Sequence, residues 1–212
     1  MKEAEWRMCN SPSQMLAWNR GWSARRRRLF ACACVRLVWP LVRHDRSRRV
    51  VEVAERYADK LATGKEMAAA RAAAPGQDDE AAARWAARAA IACAIPACAE
   101  AAQSTLSAVL FAASAASLTG SSSIPFPIAE AREVALIREM VGNPFRPLTL
   151  PGECPATVRQ LAQSLYEGAD CAFALHDALL ETGHAELAEH FAPAGKWHPK
   201  GCWAVDLILG KK

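Results

Sequence analysis

The chain has 212 residues, of which 52% are hydrophobic and 23% charged, and its formal net charge is +4. These values are typical of a soluble globular protein with one large domain or two small ones. The N-terminal residues 1–14 carry charges at four positions and no continuous apolar run, which excludes a secretory signal and favours a cytoplasmic protein. The eight cysteines are therefore expected to be free thiols.

Every long segment predicts helix, because apolar residues recur at spacings of three and four while alternating β-branched runs are absent. We predict an all-α protein, a multi-helix bundle with two helical subdomains packed together. In chain order, the predicted helices cover residues 12–20, 23–39, 45–63, 63–74, 78–118, 127–141, 155–167, 170–181, 184–191 and 202–209.

Three of these helices carry strong local signals. The helix predicted at 45–63 has an inner stripe of apolar residues that follows steps of four, three and four, namely Val50, Ala54, Tyr57 and Leu61. Thr63 with Glu66 has the spacing of a capping box at the start of the next helix. Gly210 follows the final helix at the position where a left-handed residue ends a helix.

The alanine-rich stretch 78–118 should form a helical pair divided near Pro96. It is apolar, but it consists mainly of small side chains, so we predict that it does not span a membrane. The Gly, Ser and Pro residues of 120–127 predict a linker between a subdomain at 1–119 and another at 124–212, with one continuous domain as the alternative.

Three sequence blocks resemble a known group of proteins. They are LFACACVRLVW from residue 29 followed by DRSRRVVEVAERYADKLATG, the turn GNPFRP at 142–147, and a closing block of the form H-x-x-GCW-x-VD-x-x-LG. They are similar to an uncharacterised family of paralogous planctomycete proteins, and the resemblance covers about half of the chain. Members often have Cys-Cys-Arg where this chain has Cys34-Val35-Arg36, and His-Cys-Arg where it has His190-Phe191-Ala192. The resemblance implies no activity.

Positive charge is concentrated at the N-terminal end. Residues 1–50 hold twelve Lys and Arg against three Asp and Glu, a balance of +9, which leaves −5 for residues 51–212. On a helix that begins after Ser23, the side chains of Arg25, Arg28 and Arg36 would fall within about 80° of one another and form an exposed stripe. Because arginine binds phosphate bidentately, one alternative function is sequence-nonspecific binding of nucleic acid. The candidate contacts are Arg20, Arg25, Arg28, Arg36, Arg43, Arg46 and Arg49.

The preferred interpretation of these arginines is ion pairing within the protein. Charged runs are usually solvated faces, and the chain as a whole is close to neutral. Glu130, Glu133 and Glu139 belong to the acidic remainder of the chain and are the expected partners.

A metal site is a further hypothesis. His190, His198 and Cys202 offer imidazole and thiolate groups of the kind that bind zinc, with Cys32 or Cys34 as a fourth ligand. The spacing is loose and no C-x-x-C pair is present, so the preferred interpretation places His198 at the surface and packs Cys202 as a small hydrophobic residue. We accordingly predict no cofactor.

Catalytic signatures are absent: the chain has no phosphate-binding glycine loop, no H-E-x-x-H and no paired-carboxylate motif. We predict a non-catalytic module that binds an unknown protein partner through its alanine-rich helices and does not bind membranes. The alternatives are nucleic-acid binding, a zinc protein, and an enzyme whose active site is assembled from distant residues.

Overall fold

The architecture is that of a computed structural model, which describes residues 1–18, 21–75, 78–118, 126–150, 154–192 and 196–211. These residues form α-helices and two short 3-10 turns and contain no strand, which confirms the all-α prediction. The helices are α1 (Glu3–Met8), α2 (Pro12–Trp18), α3 (Ala24–Leu37), α4 (Asp45–Ala58), α5 (Gly64–Ala73), α6 (Ala81–Ala92), α7 (Cys98–Leu118), α8 (Phe126–Val141), α9 (Ala156–Tyr166), α10 (Ala172–Glu181), α11 (Ala185–Ala188) and α12 (Trp203–Leu209). The 3-10 turns span Trp39–Leu41 and Glu189–Phe191.

The helices form two compact units, unit 1 (Met1–Ile137) and unit 2 (Arg138–Lys212). The division falls within α8, later than the linker predicted at 120–127, of which residues 120–125 lie outside the described part of the chain.

Residues 126–137, the greater part of α8, belong to unit 1, where one face of the helix is buried. Ala129, Glu133 and Ile137 follow one another at intervals of four residues, and each is at most 2% exposed. Glu133 lies close enough to Cys34 of α3 to disfavour ionisation of that thiol and raise its pKa, after the larger effect of burial.

The centre of unit 1 is α3, in which eight successive residues from Arg28 to Val35 are buried. Neighbouring helices α4, α6 and α7 all pack on it. A helix covered on all sides has no exposed face for a stripe of charge. The helices packed around α3 therefore determine which of its arginines are buried.

The alanine-rich stretch forms a closely packed pair, α6 and α7, and the chain breaks between them around Pro96 as predicted. By length and composition alone α7 could cross a membrane, with a mean hydropathy of 1.3, yet half of that stretch is buried within the protein. Buried core helices have the same composition, so burial inside unit 1 accounts for its apolar character.

The helix α4 ends earlier than the sequence indicated. Val50 and Ala54 are buried as predicted, but Tyr57 and Leu61 are exposed, so the predicted inner stripe is wrong in its second half. Leu61 leaves the stripe because α4 ends at Ala58 and Lys60 then adopts a left-handed φ of 63°.

Unit 2 is built from α9, α10, α11 and α12, with α9 in contact with both α10 and α12. Its core includes Val158, Leu175, Leu179, Phe191 and Val205. The final helix ends as predicted at Gly210, whose φ is 65°.

Candidate metal centre

Four potential metal ligands converge in unit 2. Glu139 lies on the last turn of α8, His190 in the second 3-10 turn, His198 in the segment before α12, and Cys202 at the N-cap of α12. One ligand atom from each of them lies within 4.8 Å of every other. Three separate parts of the chain therefore contribute to one small cluster.

A tight turn brings His198 and Cys202 to the same place. The backbone N–H of Cys202 donates to the carbonyl of Pro199 at 3.0 Å, and Gly201 has a φ of 89°. Such a φ is accessible to glycine without steric cost. The residues G-C of the closing sequence block thus have a direct structural role.

A second glycine places α8 against α12. Gly142 ends α8 with a φ of 68°, and a Cβ at this position would lie 2.9 Å from Cδ2 of Trp203. Only a residue without a side chain allows this contact. The turn GNPFRP and the closing GCW block are therefore joined at the point where Glu139 approaches Cys202.

The cluster is centred on one carboxylate oxygen. Nε2 of His190 and Nδ1 of His198 lie 2.8 and 2.9 Å from Oε1 of Glu139, and the Cys202 thiol donates to the same oxygen at 3.2 Å. Sγ of Cys202 is also 3.1 Å from Nε2 of His190 and 3.9 Å from Nδ1 of His198. A carboxylate oxygen has two lone pairs, so three donors exceed its directional capacity.

The separations fit a tetrahedral zinc ion. With Zn–N and Zn–O bonds of about 2.0–2.2 Å and Zn–S bonds of about 2.3 Å, tetrahedral ligand atoms lie roughly 3.3–3.7 Å apart. Five of the six separations are 2.8–3.9 Å and bracket that range, and all six are within 4.8 Å. Small movements of the side chains would create the site.

The four side chains are largely buried. The side chain of His198 is 0% exposed, and those of Glu139 and His190 are 8% and 10% exposed. The rings of Phe191 and Trp203 each pack edge-on against His190, with centroids 5.0 Å away. A largely buried site with four protein ligands has the character of a structural metal site, since catalytic zinc keeps one position open.

The protonation states are set by burial and by the carboxylate. Burial opposes ionisation of Glu139, but the hydrogen bonds of His190 and His198 outweigh it and hold its pKa well below the usual range. Burial lowers the pKa of His190 and so favours the neutral ring that a metal requires. Burial, then the charge of Glu139, raises the pKa of the Cys202 thiol well above its ordinary value. A coordinated cation reverses this last effect, because it deprotonates the thiol.

Two further contacts complete the geometry. Nζ of Lys196 lies 2.8 Å from Oε2 of Glu139, which leaves Oε1 directed at the cluster. Nε2 of His198 is buried and has no hydrogen-bond partner among the described residues. Histidine ligands usually donate their second ring N–H to a fixed acceptor, and at Nε2 of His198 packing takes the place of that acceptor.

The sequence identified three of the four members. His190, His198 and Cys202 come together, whereas the preferred interpretation of a surface His198 is wrong. Cys32 and Cys34 are buried in α3 of unit 1 and are not members of the cluster. The missing ligand is Glu139, which the sequence had assigned as a partner for arginine.

The predicted exposed arginine stripe is also wrong. Arg28 is 1% exposed, and its guanidinium donates to the carbonyls of Cys93, Ile95 and Pro96 around the end of α6. These are carbonyls that the helix itself cannot satisfy. The cost of burying this charge is thereby offset by hydrogen bonds, and Arg28 is not available to a phosphate.

Other arginines pair with acids of unit 1, although not with the predicted ones. Arg25 binds Asp59 at 2.9 Å, and Arg36 makes two hydrogen bonds to Glu55 at 3.0 and 3.1 Å. Arg43 pairs with Glu80. Arg20 lies outside the described residues.

Glu133, one of the predicted acidic partners, has no hydrogen bond to any described residue from either carboxylate oxygen. Burial, with a smaller contribution from Glu130, raises its pKa to about 9. At neutral pH Glu133 is therefore a neutral acid and does not balance an arginine.

Comparisons with protein-family models, with curated proteins and with solved structures find no match to this chain.

Proposed function

We propose that unit 2 is a zinc-binding module in which Glu139, His190, His198 and Cys202 hold a structural ion. The observation that carries the proposal is the convergence of three donors on one oxygen of Glu139. A cation among these atoms would replace competing hydrogen bonds by four coordinate bonds.

The charges of the ligands support Zn²⁺. An ionised carboxylate, a thiolate and two neutral imidazoles carry two negative charges, so a divalent cation gives a neutral centre inside an apolar core. The mixture of nitrogen, sulfur and oxygen ligands is typical of zinc and unlike the all-oxygen sites of calcium and magnesium. The ion would fix the end of α8 to the start of α12.

The test is metal binding by the full chain after treatment with a chelator. We expect one Zn²⁺ per chain, and replacement by Co²⁺ should give the visible absorption of a tetrahedral site together with a thiolate charge-transfer band. Zinc at about one hundred times its dissociation constant should stabilise the folded protein by about 2.7 kcal/mol.

Substitutions identify the ligands. Cys202→Ser should abolish the charge-transfer band, and Glu139→Gln should weaken binding while it retains a hydrogen-bond acceptor of the same shape. Cys171→Ser is the matched control, because this thiol lies in the same unit but donates to the carbonyl of Leu161 at 3.4 Å. Absence of bound metal in the wild type, or equal affinities for Cys202→Ser and Cys171→Ser, would contradict the proposal.

Protein interaction is a second candidate function, and one observation favours it. Phe111 of α7 is 54% exposed and stacks on Trp85 of α6 with ring centroids 4.7 Å apart, and Leu118 is exposed seven residues further along α7. Light scattering over a range of protein concentrations would test self-association through this surface. We expect Phe111→Ser to lower the mass if the surface is used, and an unchanged monomeric mass of the wild type counts against self-association.

A further inference from the structure

We propose that an arginine-lined groove in unit 1 binds a phosphate-bearing ligand. The groove has a volume of about 770 Å³ and lies among the end of α3, the turn Trp39–Leu41, the start of α4 and the end of α5. Its size is within the range of sites for small ligands, about 300–1,000 Å³. Its charged lining has four arginines and two carboxylates, namely Arg36, Arg46, Arg48, Arg49, Asp45 and Glu52.

Two of the arginines form the fixed wall of the groove. Arg36 is held by Glu55 and lies over the ring of Trp39 at 4.1 Å from the centroid. Nε of Arg48 donates to the carbonyl of Val42 at 2.8 Å. Their positions are therefore set before any ligand arrives.

The other two arginines are available at the rim. Arg46 is exposed and has no hydrogen bond or ion pair to any described residue. Arg49 reaches Glu52 at 3.3 Å, but both side chains are largely exposed, and such pairs are weak. Both guanidinium groups can turn towards a ligand at little cost.

The position of these arginines on α4 points to an anion. Arg46, Arg48 and Arg49 lie within the first five residues of the helix, at the positive end of its dipole. Cations in that place are unfavourable by roughly 0.3–1 kcal/mol each at the surface. An anion bound in the groove would be stabilised by the guanidinium groups and by the helix terminus together.

Phosphate is the anion that this arrangement suits. The planar fork of arginine matches two oxygens of a phosphate group, and several such forks around one groove can bind successive phosphates. The phosphates would belong either to a single-stranded nucleic acid or to a free phosphorylated molecule such as a nucleotide. The inference concerns unit 1 and does not depend on the zinc centre of unit 2.

The experiment measures fluorescence anisotropy of a labelled oligothymidylate with the full chain at several salt concentrations, with pyrophosphate and ATP as competitors. The variant Arg46→Ala/Arg49→Ala should bind about tenfold more weakly or worse. For a single strand, loss of two phosphate contacts should also reduce the slope of log affinity against log salt by about 1.4.

The control is Arg7→Ala/Arg132→Ala, which removes the same charge from two exposed positions that do not line the groove. Tighter binding of the oligonucleotide than of ATP would identify nucleic acid as the source of phosphate, and the reverse order would identify a free phosphorylated molecule. The proposal is overturned if no probe binds at the lowest salt, or if the control variant loses as much affinity as the groove variant. Removal of zinc by a chelator should not change either result.

Discussion

Unit 1 should lose stability as the pH rises through the neutral range, because of Glu133. This side chain is 0% exposed, and no described residue hydrogen-bonds to its carboxylate oxygens. Burial, with a smaller contribution from Glu130 one turn earlier, raises its pKa from 4.5 to about 9. The thiol of Cys34 on α3 also lies close enough to interact with this carboxyl group.

The size of the effect follows from the two pKa values. In the unfolded chain the carboxyl ionises above pH 4.5, whereas in the folded protein it keeps its proton until about pH 9. Between these limits unfolding releases a proton, so stability falls by about 1.4 kcal/mol for each pH unit. The stability that the protonated Glu133 contributes is fully present below the pKa of the unfolded state, and it is lost progressively as the pH rises to the pKa of the folded state. At pH 7 the loss amounts to roughly 3 kcal/mol.

Glu133→Gln keeps the shape of the side chain and cannot ionise. We expect this variant to exceed the wild type in stability at pH 7, and the difference between the two to widen with increasing pH. Urea unfolding followed by far-UV circular dichroism at a series of pH values gives both free energies. Glu100→Gln on α7 is the control, since this carboxylate is exposed and does not contribute to the raised pKa of Glu133. A difference between Glu133→Gln and the wild type that does not change with pH would refute the reasoning.

Three further predictions concern packing and caps, each measured as a change in the free energy of unfolding. Gly142→Ala and Gly210→Ala should each lower the stability by about 1–2 kcal/mol, because both positions have a left-handed backbone. Gly142→Ala should lower it by about 1–3 kcal/mol more, because the added Cβ would contact Trp203. Equal losses for the two variants would contradict this contact. Arg28→Met should destabilise unit 1 by about 3 kcal/mol or more, since it leaves buried carbonyls unpaired, and a loss below about 1 kcal/mol would count against that role. Thr63→Ala should cost about 1 kcal/mol through loss of the capping box, and an unchanged stability would show that the cap contributes nothing.

The parts of the fold that could be predicted are those set by local interactions. The capping box of Thr63 and Glu66, the break at Pro96 and the left-handed Gly210 are all present as predicted. Each depends on residues within one turn of the helix, so the sequence contains the whole of the signal.

Glu139 could not be predicted as a ligand because nothing near it in the sequence marks it. It lies 51 residues before His190 and 63 before Cys202, on a helix with two other acidic side chains. His190, His198 and Cys202 are candidates in the sequence because of their side-chain chemistry, although their spacing is loose. The carboxylate is recruited only when α8 and α12 come together.

The burial of Arg28 could not be predicted either, because its local sequence indicates an exposed side chain. An arginine in a run of four is expected at the surface, because burying a charge is costly unless it is compensated. The compensation comes from carbonyls 65 to 68 residues away, at the end of α6. Helical periodicity assigns Arg28 to an exposed face of α3, whereas the tertiary structure buries it.

Maintenance of the fold alone does not account for the polar cluster of Glu139, His190, His198 and Cys202 in unit 2. The need for a stable fold explains the contact of Gly142 with the Trp203 ring and the left-handed turn at Gly201, because both position the backbone. It does not explain an ionised carboxylate buried with two imidazoles and a thiol, since apolar side chains of similar volume usually stabilise a core as well or better. A divalent cation changes the balance, because each buried polar group then becomes a ligand and the charges cancel. The polar centre and the glycine contact are therefore parts of one arrangement, in which packing brings the ligands together and the ion would hold them.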